Sequence, residues 1–364
     1  MNIEDSILIV GGYGVVGQQL VHHLRQRHPE LPIYLGGRSV EKGLELVSKF
    51  KDISVVEIDL NKSKPLQSFF ARGLPKAVVA AVNDPHDHLL LEVVAKGIPF
   101  LDITRWTSKL ESAISLIQNK TLTAPIIFSS SWMAGVVAII ASKIAGKFHS
   151  IESIAIDILY SLNDKAGPNS VEYMDRLAKP YSVTRGGKII EVKPFSNSRK
   201  VEFPRGYSAR TFSFDTPEQF TLPKTLGAAS VNSHIAFDDT LSMYSLVGMV
   251  RLGIWKLISG ANFTWLRHKI LYNPGPGNSH EIMIQVNGTD AQSKPKRIKA
   301  SIVDPRGQTH LTSIGALIQL ERLINGNNEL KMKNEISFPE SLLSTDLGIE
   351  TLESLGVKIT FSES

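Results

Sequence analysis

Twelve residues near the amino terminus, Ser6-Ile-Leu-Ile-Val-Gly-Gly-Tyr-Gly-Val-Val-Gly17, leave this chain little choice of fold. Ile7 to Val10 is an unbroken apolar run, which reads as a strand buried on both faces, since a half-exposed strand would alternate with polar residues. After Gly12, Gly14 and Gly17 the apolar spacing changes: Val15, Val16, Leu20, Val21 and Leu24 repeat with a helical period. Strand, glycine turn and helix in that order form a phosphate cradle. Gly12 makes the sharp turn, Gly14 lets a pyrophosphate approach the backbone, and Gly17 allows the helix to pack on the strand. The helix start adds free N–H groups and a partial positive charge.

The same alternation continues along the first third of the chain. Leu31 to Leu35 reads as a second strand ending in Gly36-Gly37-Arg38-Ser39, Glu41 to Phe50 as a helix, and Ile53 to Asp59 as a third strand. Pro65 to Arg72 is a short helix, Lys76 to Val82 a buried strand, and a helix runs from the Asn83-Asp84-Pro85 turn to Lys96. Pro99 to Ile103 is a fifth strand, Lys109 to Asn119 a helix, and Pro125 to Ser129 a sixth strand. Strands separated by helices predict a doubly wound parallel sheet of the Rossmann type, with ligands at the carboxyl ends of its strands. Gly12, Arg38, Asp59, Asn83 and Asp102 then fall along one edge.

The second strand carries a further signal. About twenty residues past the last glycine, a chain that binds NAD normally places an acid for the ribose 2′-hydroxyl. Here Arg38 and Ser39 occupy that place, and the next acid is Glu41. A carboxylate repels a 2′-phosphate, whereas a guanidinium fork and a hydroxyl donate to it. The expectation is NADP.

From Ser131 the pattern changes to a mixed α+β texture. A helix is expected over 133–147, strands over 153–160 and 187–192, and loops with short strands over a pocket between Pro194 and Pro223. His280 to Gly288 and Arg297 to Val303 read as two antiparallel strands. Thr309 to Gly326 reads as a helix stopped by Asn325-Gly326, Phe338-Pro339-Glu340 as a turn opening another helix, and Leu355 to Phe361 as a short strand. Leu241 to Ile258 is the most apolar stretch. Arg251 and Lys256 inside it exclude a membrane span, which leaves a buried helix or dimer face, a substrate channel, or a helix resting on a membrane.

Composition removes several function classes. The 364 residues include no cysteine, so disulfides, thiolate metal sites and a cysteine nucleophile are excluded. The net charge of +5 contains no basic run that would track a nucleic-acid backbone. No histidine spacing suggests a metal, and no serine lies in a G-x-S-x-G elbow, which argues against a hydrolase. Met1-Asn-Ile-Glu-Asp-Ser is acidic and runs at once into a strand, unlike a secretory leader, so the expectation is a cytoplasmic protein.

With these segments assembled, the chain resembles the saccharopine dehydrogenase-like family of NAD(P)-dependent oxidoreductases. The resemblance is carried by Gly11-Gly-Tyr-Gly-Val-Val-Gly17, Gly37-Arg38-Ser39, Asp59, Val82-Asn83 with Pro85, and Gly97-Ile-Pro-Phe-Leu-Asp102. Phe338-Pro-Glu-Ser-Leu-Leu343 and Leu352-Glu-Ser-Leu-Gly-Val357 are similar to the family's closing segment, while the middle of the chain matches no one branch. The resemblance implies a Rossmann domain over 1–130, an inserted substrate and dimerisation domain over 131–304, and carboxyl-terminal helices over 305–364 that return to the Rossmann domain. It also implies cofactor contacts at Gly12, Tyr13, Gly14, Val15, Val16, Arg38, Ser39, Asp59 and Asn83, to which the glycine turn itself adds Gly17.

Hydride transfer asks little of the protein beyond alignment and a proton donor. His86 and His88 follow the fourth strand and offer such a donor; Arg105, after the fifth, offers a grip for a substrate carboxylate or a structural partner for Asp102. The reading is an NADP-dependent oxidoreductase acting on a small imine, keto acid or enoyl-type substrate, and a homodimer. The alternatives are an NADPH-binding sensor without turnover and a trans-acting reductase subunit of a larger biosynthetic enzyme.

Overall fold

The computed structural model describes residues 2–165, 173, 175–259, 263, 265, 277–324, 333–341 and 344–363. The chain folds as two units, one of residues 1–135 with 312–339 and the other of 136–311 with 340–364.

The first unit is built on a parallel sheet. Its strands are β1 (Ile7–Val10), β2 (Ile33–Gly37), β3 (Ile53–Glu57), β4 (Ala77–Ala80), β5 (Phe100–Asp102) and β6 (Ile126–Phe128). Between them run α1 (Val15–Arg27), α2 (Val40–Val47), α3 (Gln67–Phe70), α4 (His88–Lys96) and α5 (Thr107–Ile117). A further strand, β15 (Ile336–Ser337), comes from the far end of the chain, and the order across the sheet is β15-β6-β5-β4-β1-β2-β3. Every pairing is parallel. The sheet thus has seven strands where the alternation announced six; the seventh is two residues long and carries no period that a sequence can display. β1 and β4 are buried at every position, as strands covered on both faces must be. From β3 at one edge the chain returns to β4 beside β1, so the glycine turn after β1 lies at the switch point of the sheet.

The second unit holds a mixed sheet. Its strands are β7 (Ser150–Tyr160), β10 (Ser198–Glu202), β11 (Ser208–Ser213), β12 (Ser230–Phe237), β13 (His280–Thr289), β14 (Pro295–Asp304) and β16 (Lys358–Glu363). They lie in the order β10-β11-β12-β7-β13-β14-β16. A separate hairpin joins β8 (Tyr181–Arg185) to β9 (Lys188–Val192). β7 and β12 run parallel, while β13 and β14 form the expected antiparallel pair. The helices are α6 (Val136–Ala145), α7 (Glu218–Thr225), α8 (Thr240–Arg251), α9 (Ile254–Ile258) and α11 (Thr345–Ser354). α10 (Gln308–Ile324) begins in this unit and belongs to the first from Thr312 on, with Leu311, Ile314, Leu317 and Leu320 fully buried.

Three expectations change in detail. The helix over 133–147 starts only at Val136, because Met133, Ala134 and Gly135 all have positive φ. The short strands expected between Pro194 and Pro223 are β10 and β11, and the segment also enters a helix, α7, that includes Pro223. The stretch 241–258 is two helices, broken where Gly253 takes a φ of +77°. The Asn325-Gly326 stop lies outside the described residues. No described helix is long and apolar enough to cross a membrane.

Candidate functional site

The glycine turn forms a cradle open on its outer side. Gly14 caps α1 in extended backbone, and no side chain caps that helix, so its first-turn N–H groups have no intrahelical acceptor. Gly14 is exposed, and a Cβ built on it meets one atom within 4 Å, the Gly11 carbonyl at 3.2 Å. Gly17 is the opposite case: its Cβ would fall 2.5 Å from the Gly11 carbonyl oxygen and 2.7 Å from the backbone of Gly12. One glycine leaves space for a ligand and the other lets the helix touch the turn. Val15 and Val16 open the helix and are half-buried, with Gly12 buried beneath them against Leu35 and Ile9.

Tyr13 links the turn to the end of β2. Its hydroxyl accepts the Ser39 N–H at 3.0 Å, and its ring lies over Gly37, where a Cβ would come within 2.0 Å of the phenol oxygen. Only glycine fits beneath that ring. Burial pushes the Tyr13 phenol above its ordinary value, against the opposing effect of the Ser39 N–H, so the hydroxyl stays a neutral donor. Ser39 begins α2, which no side chain caps, and Arg38 beside it is exposed. Asp59, half-buried after β3, accepts the N–H and the side-chain amide of Asn61 at 3.1 and 2.9 Å. Asn83 is half-buried after β4. The carboxyl ends of β5, β4, β1, β2 and β3 are neighbours in that order, so Asp102, Asn83, Gly12, Arg38 and Asp59 follow one edge of the sheet.

No family model and no curated protein matches the sequence. Among solved structures, the apo histidine-tagged saccharopine dehydrogenase (L-Glu forming) from Saccharomyces cerevisiae is similar over 99% of this chain and 100% of its own, at 10% identity and a TM-score of 0.70. The chain has a saccharopine dehydrogenase-like fold. Two further structures score lower. GenD2 from gentamicin A biosynthesis, in complex with NAD, covers 100% of this chain and 97% of its own at 10% identity and a TM-score of 0.47. A myo-inositol dehydrogenase from Corynebacterium glutamicum covers 97% and 94% at 11% identity and 0.45. At 10% identity a saccharopine dehydrogenase-like fold fixes the architecture and leaves the chemistry to the residues.

Beside the cradle, this saccharopine dehydrogenase-like fold holds a buried ion network that the sequence only half disclosed. Arg105 has no exposed side-chain surface; its Nε donates to Asp102 at 2.7 Å and its Nη1 to Asp87, while its plane lies 5.5 Å from the Phe128 ring. Burial opposes the charged guanidinium, but the two carboxylates outweigh it and hold Arg105 above the ordinary arginine value. Asp102 also accepts the N–H and hydroxyl of Thr104 at 2.9 and 2.8 Å. Of the two roles open to Arg105, the geometry provides the partnership with Asp102. Asp84 is buried nearby, accepts the Leu90 N–H at 3.2 Å, and is pushed up by burial. Lys109 is pushed down by burial. His86 is exposed, with its ring 5.3 Å from that of His88. Asp84 and Asp87 escaped the sequence reading because Asn-Asp-Pro-His-Asp looks like turn chemistry. In the structure Asp87 precedes α4 with a φ of +57°, and its carboxylate reaches Arg105 instead of capping the helix, neither of which the residue pattern displays.

The second unit has two buried clusters of its own. Asp157 on β7 is held by Arg199 through Nε at 2.8 Å and by the Thr211 hydroxyl at 2.9 Å. Asp164, wholly buried, accepts N–H groups from Gln308 at 2.8 Å and Lys165 at 2.7 Å, near Asp304 and 3.9 Å from His280. Burial raises Asp164 to about 6 and lowers His280 to about 3. His310 bonds Asp304 at 2.7 Å. Among the described residues no group of His, Asp and Glu has the arrangement of a metal site.

Proposed function

We propose that this chain is an NADP-dependent oxidoreductase, moving a hydride between NADPH and a small imine, keto acid or enoyl-type substrate. The observation that carries this reading is the exposed, uncapped cradle at Gly14, set at the switch point of a parallel sheet with exposed Arg38 at the end of the next strand. The residues fit the group. The N–H groups that open α1 would hold the pyrophosphate, Gly14 admits it, and Arg38, Ser39 and the Tyr13 hydroxyl are donors where a 2′-phosphate would need them. Asp59 and Asn83 would meet the remainder of the nucleotide. When bound, NADPH would supply the hydride.

The chain's own residues would then orient substrate and move a proton. His86 is the exposed donor on this edge. Arg105 would act through Asp87 and Asp102 by fixing the loops after β4 and β5, and residues 131–304 would supply the substrate side. Titrating the protein with NADPH and with NADH, by nicotinamide fluorescence, tests the cofactor. Following NADPH absorbance with keto acid and amine mixtures, and with enoyl thioesters, tests turnover. Absence of binding by both nucleotides overturns the reading. Tight NADPH binding without oxidation by any of these substrates replaces the enzyme with a sensor.

A further inference from the structure

α8 and α9 of the second unit present an apolar face to solvent. α8 turns Met243, Leu246 and Val247 inward, and α9 buries Trp255 completely, so both helices are anchored. The opposite side carries Leu241 and Leu252 at 77% exposure, Leu257 at 74%, and Tyr244 and Ile254 at lesser values. Positions 241, 244, 248 and 252 share one side of a helix, so the exposed residues of α8 form a stripe. Exposed large aliphatic side chains are ordinarily scattered singly. Here they are concentrated, with Trp265 following at 65%.

Charge decides what fits this face. Arg251 and Lys256 are the charged residues of α8 and α9, and neither helix carries an acid. A two-fold interface would set these two cations against their own copies, while the exposed acid at the head of α8, Asp239, is taken up by the Ser242 N–H it caps. An anionic bilayer surface meets both demands. Its acyl boundary takes the leucines, its headgroup layer suits Tyr and Trp, and its phosphates attract Lys256, while Arg251, which donates to the Phe195 carbonyl, adds positive charge to the field. We propose that the α8–α9 face seats the protein on an anionic lipid surface, without spanning it. This inference does not depend on the cofactor reading.

The test is sedimentation of the full chain with phosphatidylcholine vesicles and with vesicles rich in phosphatidylglycerol. The expected result is binding to the anionic vesicles, weakened by salt as screening requires. Leu252→Glu with Leu257→Glu should weaken that binding by about tenfold or more, with circular dichroism and melting temperature unchanged because both residues are exposed. Lys256→Glu should reduce the preference for phosphatidylglycerol. A parent that ignores both vesicle types, or a folded double variant that binds like the parent, overturns the proposal. So does a parent that is dimeric, ignores vesicles, and becomes monomeric in the double variant; the face would then belong to a second copy.

Discussion

Gly14 and Gly17 lie three residues apart in one motif, and the same substitution should do different things to them. A methyl at Gly14 enters the open side of the cradle, so Gly14→Ala should leave the melting temperature near that of the parent and weaken dinucleotide binding at least about tenfold, or ~1.4 kcal/mol. A methyl at Gly17 meets the turn's own backbone at 2.5 Å, so Gly17→Ala should destabilise by about 1–3 kcal/mol, read by denaturant unfolding. Arg38→Ala should cost NADPH roughly 1.5–3 kcal/mol of affinity and leave NADH nearly unchanged, measured as paired dissociation constants. Equal losses for both nucleotides would make Arg38 a general structural residue. Arg105→Ala removes the cation from Asp102, which has no exposed side-chain surface, and should destabilise by about 3–5 kcal/mol. The cradle was legible in the sequence because its residues are contiguous and each answers a steric demand. Arg105 was legible only as a charged residue after a strand. Its second partner, Asp87, is eighteen residues away and is brought to it by the pairing of β4 with β5.

Strands buried on both faces announce themselves as apolar runs, and the sheet of the first unit was read nearly strand for strand. β10 fails that test: Ser-Arg-Lys-Val-Glu alternates between exposed and half-buried, and it pairs on one side only. An edge strand of this composition looks like a loop until its partner is known. His234 within β12, His280 at the start of β13 and Asp164 just past β7 set the pH response of the second unit. His280 falls from 6.5 to about 3 and His234 to about 4, both through burial, so the unfolded chain binds protons there that the folded one refuses. That stability is present above the unfolded value and is lost as the pH falls below about 6.5. Asp164 is raised to about 6 from 3.8 and has the opposite sign: the folded state holds the extra proton between those values, so its own contribution falls as the pH rises through them. The histidine shifts are the larger. Acidification from about pH 7 to about 5 should therefore lower the melting temperature, and Asp164→Asn should steepen that fall, whatever it costs at neutral pH. Scanning fluorimetry across this range checks both signs, and a flatter profile in the variant would refute the assignment.

Each unit is completed by residues from the far end of the chain. Truncation after Asp304 would remove β15 from the parallel sheet, β16 from the mixed sheet, and the fully buried Ile314, Leu317 and Leu320 of α10. The 1–304 fragment should be insoluble or should bind a hydrophobic dye, and a soluble fragment with the parent's melting temperature would show the tail to be an appendage. This part of the architecture was the least legible, since a two-residue strand has no period and its pairing joins segments more than two hundred residues apart. The pairing of β15 with β6 also has a consequence in time. On the ribosome β6 emerges before its partner, which is separated from it by the residues from 129 to 335. At about 5–20 residues per second that interval is roughly 10–40 s. Throughout it a wholly apolar strand, Ile126–Phe128, stands at an open sheet edge, the arrangement that invites pairing with another nascent chain. The longer this edge stays uncovered during synthesis, the more of the chain should be lost to such pairing, a hazard that ends once Ile336 and Ser337 dock.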